Sequence, residues 1–357
     1  MDSLTQLTLG AAVGVAVMGR RTAVWKAALW GGVCGTLPDL DALIDHGNPV
    51  LNMVLHRAET HALFWQTLAA PVVAAGIAAL DRQGADAAPA RPGVIHTRGE
   101  RWRDRFPRWW LAVWLVFVTH ALLDAMTVYG TQLALPFSNH PYGLGSVFII
   151  DPLYTVPLLA GLIATLVSRK AGRRRWNGSA LALSTAYLAW SVLAQQHVEG
   201  VVRAQLAADR QAAPVERVLV TPTAFNTVLW RVVLMRPDGY DEGFYSLLDG
   251  GRPIRYATFA RDRALYEALR EVDAVARIAA FSQGFFRVDE RDGVVRITDL
   301  RMGQEPSYVF SFAVARRASP PEPIAPAQVG GRDDIDIGAA LRWLWRRMWG
   351  ADVDPPR

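Results

Sequence analysis

Four short stretches in the N-terminal half of the chain place carboxylates and imidazoles beside strongly apolar segments. Ionisable groups are expensive in or near a bilayer, so their recurrence there points to function, and mixed Asp and His donors suit a divalent cation. In Leu37-Pro38-Asp39-Leu40-Asp41 a proline ends an apolar helix and two carboxylates follow, able to hold one ion, bridge two, or cap the next helical turn. In His56-Arg57-Ala58-Glu59-Thr60-His61 the imidazoles are five residues apart and do not share a helix face. His56 is then expected in a loop and His61 in the first turn of the next helix, with Thr60 as its N-cap. His120 and Asp124 are an i, i+4 pair on one face of an apolar helix, either two ligands of an ion such as Zn²⁺ or a hydrogen-bonded pair supporting one. Asp151-Pro152 reads as a further ligand or as an N-cap followed by an N1 proline. His46, His96, His140 and His197 lack such spacing and are expected to be solvated.

Asp39, Asp41, His56, His61, His120, Asp124 and Asp151 together offer more donors than one tetrahedral ion needs. Two ions, or one ion with a catalytic carboxylate and supporting groups, would use them. Zinc is the first expectation for the metal, with manganese or magnesium as alternatives, and Asp124 or Asp39 is the expected base.

The elements that must position these residues read as membrane helices. Spanning the hydrocarbon takes about 20 mostly apolar residues, and residues 4–19, 23–37, 62–80, 109–127, 152–168 and 179–196 approach that. The first two are short and rich in Gly and Ala, suiting close packing on other helices or a partly inserted hairpin. About six transmembrane or partly inserted helices are therefore expected. Arg20, Arg21 and Lys26, the Arg-rich stretch 82–108, and Arg169 to Arg175 fall at alternate junctions, which the positive-inside rule assigns to the cytoplasm. The metal-binding candidates and everything after residue 197 then face the opposite compartment.

Beyond residue 200 the apolar runs shorten. VERVLV, NTVLWRVVLM, GFYSLLDG and VVRITDLRM read as strands separated by turn residues, and 261–280 as helical. The expected organisation is a transmembrane metal-site domain over 1–199, a small soluble α+β domain over 200–318, a Pro/Ala/Gly-rich linker over 319–336, and an amphipathic helix and tail over 337–357. In that last helix Leu341, Leu344, Trp345, Met348 and Trp349 recur at helical spacing with Arg342 and Arg346 elsewhere, fitting either a bilayer interface or packing on its own domain.

The chain has 13 Trp, only 20% charged residues and a net charge of +5 whose arginines concentrate between apolar runs, so nucleic-acid binding is not expected. Cys34 is the only cysteine, which excludes an intramolecular disulfide and a cysteine-rich metal site. The Arg pair follows the first apolar run instead of preceding it, the wrong order for a cleaved signal peptide.

The stretches MDSLTQLTLGAAVG, AALWGGVCGTLPDLD, HRAETH, HALLDAMTVYGTQLALPFS and FIIDPLYTVPLL occur in the order seen in the YdjM-like family, which the first 160 or so residues resemble. These are inner-membrane-bound proteins regarded as metal-dependent hydrolases and also described as LexA-binding. The resemblance implies a multi-pass protein of a bacterial inner membrane whose Asp39, Asp41, His56, His61, His120, Asp124 and Asp151 form a divalent-metal site. The family usually has a small Gly-aromatic-Ser stretch within its HR…H motif, followed by Ser, where this chain has Ala58, Glu59, Thr60 and then Ala62. Glu59 is then an added carboxylate or a solvent-facing one, and Gln6, a His in some relatives, a weak ligand or hydrogen-bonding partner.

Two functions follow as expectations. The first is a hydrolase that uses a metal-activated water on an amphiphilic, lipid-like substrate such as a phosphoester. The second is a non-catalytic membrane scaffold or regulator with a structural metal and a protein partner on its soluble domain. A transporter fits less well, because the polar clusters gather at one face and not at the midplane.

Overall fold

The computed structural model describes residues 1–85, 102–209, 213–329 and 336–356. It divides into two compact units. One contains Met1–Leu43, Arg57–Gly143 and Ile149–Ala189, and the other contains Ile44–His56, Leu144–Phe148 and Trp190–Arg357.

The first unit is helical. α1 (Ser3–Met18) is N-capped by Asp2, whose carboxylate accepts from the Thr5 amide, and it packs along α2 (Val24–Thr36). The approach is close because each helix carries a Gly-xxx-Gly pair, Gly10 and Gly14 on one and Gly31 and Gly35 on the other. A Cβ on Gly10 would lie 2.3 Å from the Gly31 carbonyl oxygen, and one on Gly35 would lie 2.5 Å from that of Gln6. Pro38 ends the α-helical run and starts a 3₁₀ turn, Pro38–Leu43, which carries Asp39 and Asp41. α3 (Pro49–Leu55) belongs to the second unit. In the first, a 3₁₀ turn over Glu59–His61 leads into α4 (Leu63–Ala85), which packs against α5 (Trp102–Ala125). A loop with a Thr131–Tyr142 bridge follows, then α6 (Pro152–Val167) and the start of α7 (Arg174–Ala208).

Among the described residues two helices, not about six, are long and apolar enough to cross a membrane: Leu63–Asp81 within α4 and Arg105–Ala125 within α5. The reason is length and polarity. The 16 residues of α1, the 13 of α2 and the 16 of α6 rise only about 1.5 Å each, short of a hydrocarbon core of about 30 Å. The expected span at 179–196 lies inside α7, where Ser184 donates to the Tyr154 carbonyl, and Gln195 donates to the carbonyls of Leu144 and Val220. Leu68, Val72 and Leu80 on α4, and Trp110, Leu111 and Leu122 on α5, are exposed, as lipid-facing side chains would be.

The second unit is rich in sheet. β1 (Arg217–Pro222), β2 (Leu229–Arg236), β3 (Gly239–Ser246) and β4 (Tyr256–Ala260) form an antiparallel meander. The helical reading of 261–280 resolves into α8 (Arg263–Leu269) and α9 (Asp273–Phe281). β5 (Phe286–Arg291), β6 (Val294–Asp299), the short β7 (Gly303–Gln304) and β8 (Ser307–Tyr308), β9 (Ser311–Arg316) and β10 (Glu322–Gln328) follow. The second four-stranded sheet has the order β10-β9-β6-β5, so the Pro-rich segment expected as linker supplies an edge strand, where missing N–H donors are tolerated. The alternation of β2 buries both faces. Trp230, Val232 and Leu234 meet Val198 and Val202 of α7, and Val233 and Met235 meet Phe285, Leu300 and Tyr308. Arg231, on the second face, is buried with Glu242 and donates also to the Leu300 carbonyl and the Tyr308 hydroxyl, so the charge is fully partnered. α10 (Ile337–Met348) completes the unit through Trp343, which packs on Phe244 and Leu229.

Candidate metal centre

Two connections and one helix end bring Asp39, His61, His120 and Asp124 together. Asp39 comes from the turn after α2, His61 from the turn before α4, and His120 and Asp124 from the last turns of α5. One donor atom from each lies within 4.8 Å of all the others. His61, His120 and Asp124 are fully buried, whereas the Asp39 side chain is 17% exposed and marks the side open to solvent.

The geometry fits a cation. Nε2 of His61 lies 3.0 Å from Nε2 of His120. Asp124 Oδ2 is 3.2 Å from the first and 3.3 Å from the second, and Asp39 Oδ1 is 3.4 and 3.5 Å from them. Donors at tetrahedral corners about 2.0–2.1 Å from one ion are separated by about 3.3 Å. Tautomer chemistry agrees. His120 Nδ1 is 2.8 Å from the Gly35 carbonyl oxygen, which can only accept, so Nδ1 carries the hydrogen and Nε2 of the neutral ring presents its lone pair. Thr60 Oγ1 donates to Asp41 Oδ2 at 2.6 Å and is left to accept from His61 Nδ1 at 2.9 Å, which turns the Nε2 lone pair of His61 inward too. Two lone pairs at that separation repel unless a cation or a proton lies between them. Asp124 Oδ2, the oxygen that faces both Nε2 atoms, is buried without a hydrogen-bond partner, as an atom awaiting an ion would be.

Electrostatics point the same way. Burial by itself would lower the His61 pKa, but the carboxylates of Asp124, Asp39 and Asp41 raise it to about 9. Burial works against ionisation of Asp39, yet the His120 and His61 rings beside it hold it below the usual carboxylate range. The pocket therefore selects positive charge.

The other candidates take different places. Asp41 supports the centre from behind, accepting from the Thr60 hydroxyl and, at 3.0 Å, from the Arg57 amide. Asp151 lies outside the converging group. It N-caps α6 through the Leu153 amide and accepts from the Tyr187 hydroxyl. His56 is the C-cap residue of α3 and is also outside the group. Glu59 is exposed, and Gln6 donates to the His120 carbonyl as a hydrogen-bonding partner.

Arg57 was not singled out from the sequence. It occupies a left-handed conformation, φ 63°, donates to Thr127 Oγ1 at 3.2 Å, lies over the Tyr129 ring, and sits 3.5 Å from Asp124 Oδ1. That oxygen also meets the Met1 amino group, so cations occupy Oδ1 and leave Oδ2 to the centre. The Gly35 carbonyl was likewise missed, because a backbone acceptor has no signature in residue type. For Arg57 the available signal was its place between His56 and His61.

Comparison with known proteins adds three findings. A family model described as YdjM inner membrane protein matches residues 1–198. An uncharacterized protein YfhP of Bacillus subtilis (strain 168) is 26% identical over 172 residues, covering 45% of each chain, so this chain spans less than half the length of that relative. No solved structure matches.

Proposed function

The chain belongs to the YdjM family of inner membrane proteins, and from that premise we propose that it is a membrane-bound, metal-dependent hydrolase acting on a lipid-like phosphoester. The observation that carries this reading is the inward-facing pair of imidazole nitrogens between two carboxylates, with Asp124 Oδ2 buried and unpartnered. His61, His120 and Asp124 would hold the ion, and Gly35, Thr60 and Asp41 fix the two rings. A bound divalent cation supplies Lewis acidity and lowers the pKa of a water. Asp39, the one member with solvent access, is the base that takes the proton. The Arg57 guanidinium lies one carboxylate away and offers positive charge to a phosphoryl oxygen.

The arrangement of the two spans supports a site on the non-cytoplasmic side. His61 lies two residues before α4 and His120 and Asp124 lie at the end of α5, while the segment joining the two helices carries Arg91, Arg98 and Arg101 and the helix ends beside it carry Arg82, Arg103, Arg105 and Arg108. By the positive-inside rule that junction is cytoplasmic and the site is at the other end of the hairpin.

The test is metal content and phosphodiester hydrolysis of detergent-purified protein. His120→Ala and Asp124→Ala should lose both, and Asp39→Asn should retain metal and lose hydrolysis. Metal unaffected by the first two substitutions would overturn the site. One observation favours a second reading, a scaffold with a structural ion, because four converging donors are the full set of a closed tetrahedral site. Loss of metal in Asp39→Asn, with no hydrolysis by the wild type, would favour it.

A further inference from the structure

α10 has two apolar faces, and its own domain uses only one. On the inner face Trp343 packs edge-on against Phe244 with ring centroids 4.9 Å apart, and its indole donates to the Val353 carbonyl. Arg347 pairs with Asp249 at 2.6 Å and donates to the Phe244 carbonyl, and Ser246 donates to the Met348 carbonyl. The helix is thus anchored without its other side. That side presents Ile337, Leu341, Trp345 and Trp349 at steps of four residues, exposed by 69%, 48%, 61% and 60%. At 100° per residue these four span one arc, and Arg342 and Arg346, both exposed, lie along its edge. Neither arginine makes an ion pair among the described residues. The apolar stripe expected from the sequence is thereby divided, with Leu344 and Met348 packed toward the domain and Leu341, Trp345 and Trp349 facing out.

We propose that this outer face of α10 docks on the surface of an anionic phospholipid bilayer. An aliphatic and tryptophan arc with an arginine border is the composition of a helix lying in the headgroup region, where indoles sit at the boundary and guanidinium groups meet phosphate. The two arginines complement an acidic leaflet, and a chain of an inner membrane family with two candidate spans has a bilayer within reach.

The test uses the full chain in nanodiscs of phosphatidylcholine with 30% phosphatidylglycerol, carrying Cys34→Ala and a spin label at Trp345→Cys or Leu341→Cys, with Glu271→Cys as an exposed reference. Docking predicts that labels at 345 and 341 collide with oxygen more than with a water-soluble nickel chelate, the reverse of 271. It also predicts that Arg342→Glu with Arg346→Glu, or discs of phosphatidylcholine alone, raises nickel accessibility several-fold. Nickel accessibility at both sites equal to that at 271 would overturn the proposal. So would labels shielded from both reagents, which means a second copy or another protein covers the face.

Discussion

Nε2 of His61 and Nε2 of His120 face each other across 3.0 Å, each ring held from behind by an acceptor at its Nδ1. Two lone pairs held that close make the structure depend on what lies between them. A divalent ion binding the folded state alone adds RT ln(1 + [L]/Kd), about 2.7 kcal/mol when the ion is at about 100 times Kd. Chelator should therefore lower the melting temperature of the wild type in detergent by several degrees, with recovery on adding zinc or manganese. His120→Ala should show neither response. A wild type indifferent to chelator and metal would remove the centre.

The same pair sets a pH dependence. Carboxylates raise the His61 pKa from its ordinary 6.5 to about 9 in the ion-free site. Its folded-state value lies above its unfolded one, so protonation stabilises the fold fully below about pH 6.5, and the contribution fades as pH rises through about 9. The loss is on the order of 3 kcal/mol. Metal and proton compete for that nitrogen, so affinity should strengthen about tenfold per pH unit below about 9. Isothermal titration with zinc from pH 6 to 8 measures this, and pH-independent affinity would contradict the assignment of His61 as a ligand.

The four converging residues were all legible as types and spacings, because an i, i+4 His and Asp pair and carboxylates after a helix-ending proline have few structural uses beside lipid. What spacing could not separate was ligand from support. Asp41 stands two residues from Asp39 in the same 3₁₀ turn, and only the fold turns its carboxylate to Thr60 and Arg57. The count of spans was overread for a physical reason as well. Gly- and Ala-rich α1 and α2 are apolar because they pack on each other, and hydropathy alone does not distinguish that from contact with lipid. In the second unit the strand alternation was clear, but β10 was hidden behind prolines that an edge strand accepts.

The Gly-xxx-Gly contact carries its own prediction. A methyl on Gly31 would meet the Gly10 carbonyl oxygen at 2.3 Å, with backbone on both sides and no side chain free to move. Gly31→Ala should therefore part α1 from α2, at a cost of about 2–4 kcal/mol. Because α2 also supplies the Gly35 acceptor to His120, metal affinity should fall with stability. Gly76→Ala, at an α4 position with no neighbour within 4 Å, is the control and should leave both unchanged. Equal melting temperatures for the two variants would show that the helices do not pack as described.

Asp41 separates a positioning role from a ligand role. Its Oδ2 accepts from the Thr60 hydroxyl and the Arg57 amide and lies 3.4 Å from His61 Nδ1, so it orients the ring from the side away from the ion. Outer groups of this kind tune ligand basicity, and their loss lowers metal affinity by about 10–100-fold without removing the site. Asp41→Asn keeps one carbonyl acceptor but removes the charge that favours an electron-rich imidazole. It should bind metal at unchanged stoichiometry with affinity reduced within that range, whereas Asp124→Asn, which alters a donor atom itself, should lose stoichiometric binding. Titration of both variants with zinc reads the distinction directly. Loss of stoichiometry in Asp41→Asn would make Asp41 a ligand.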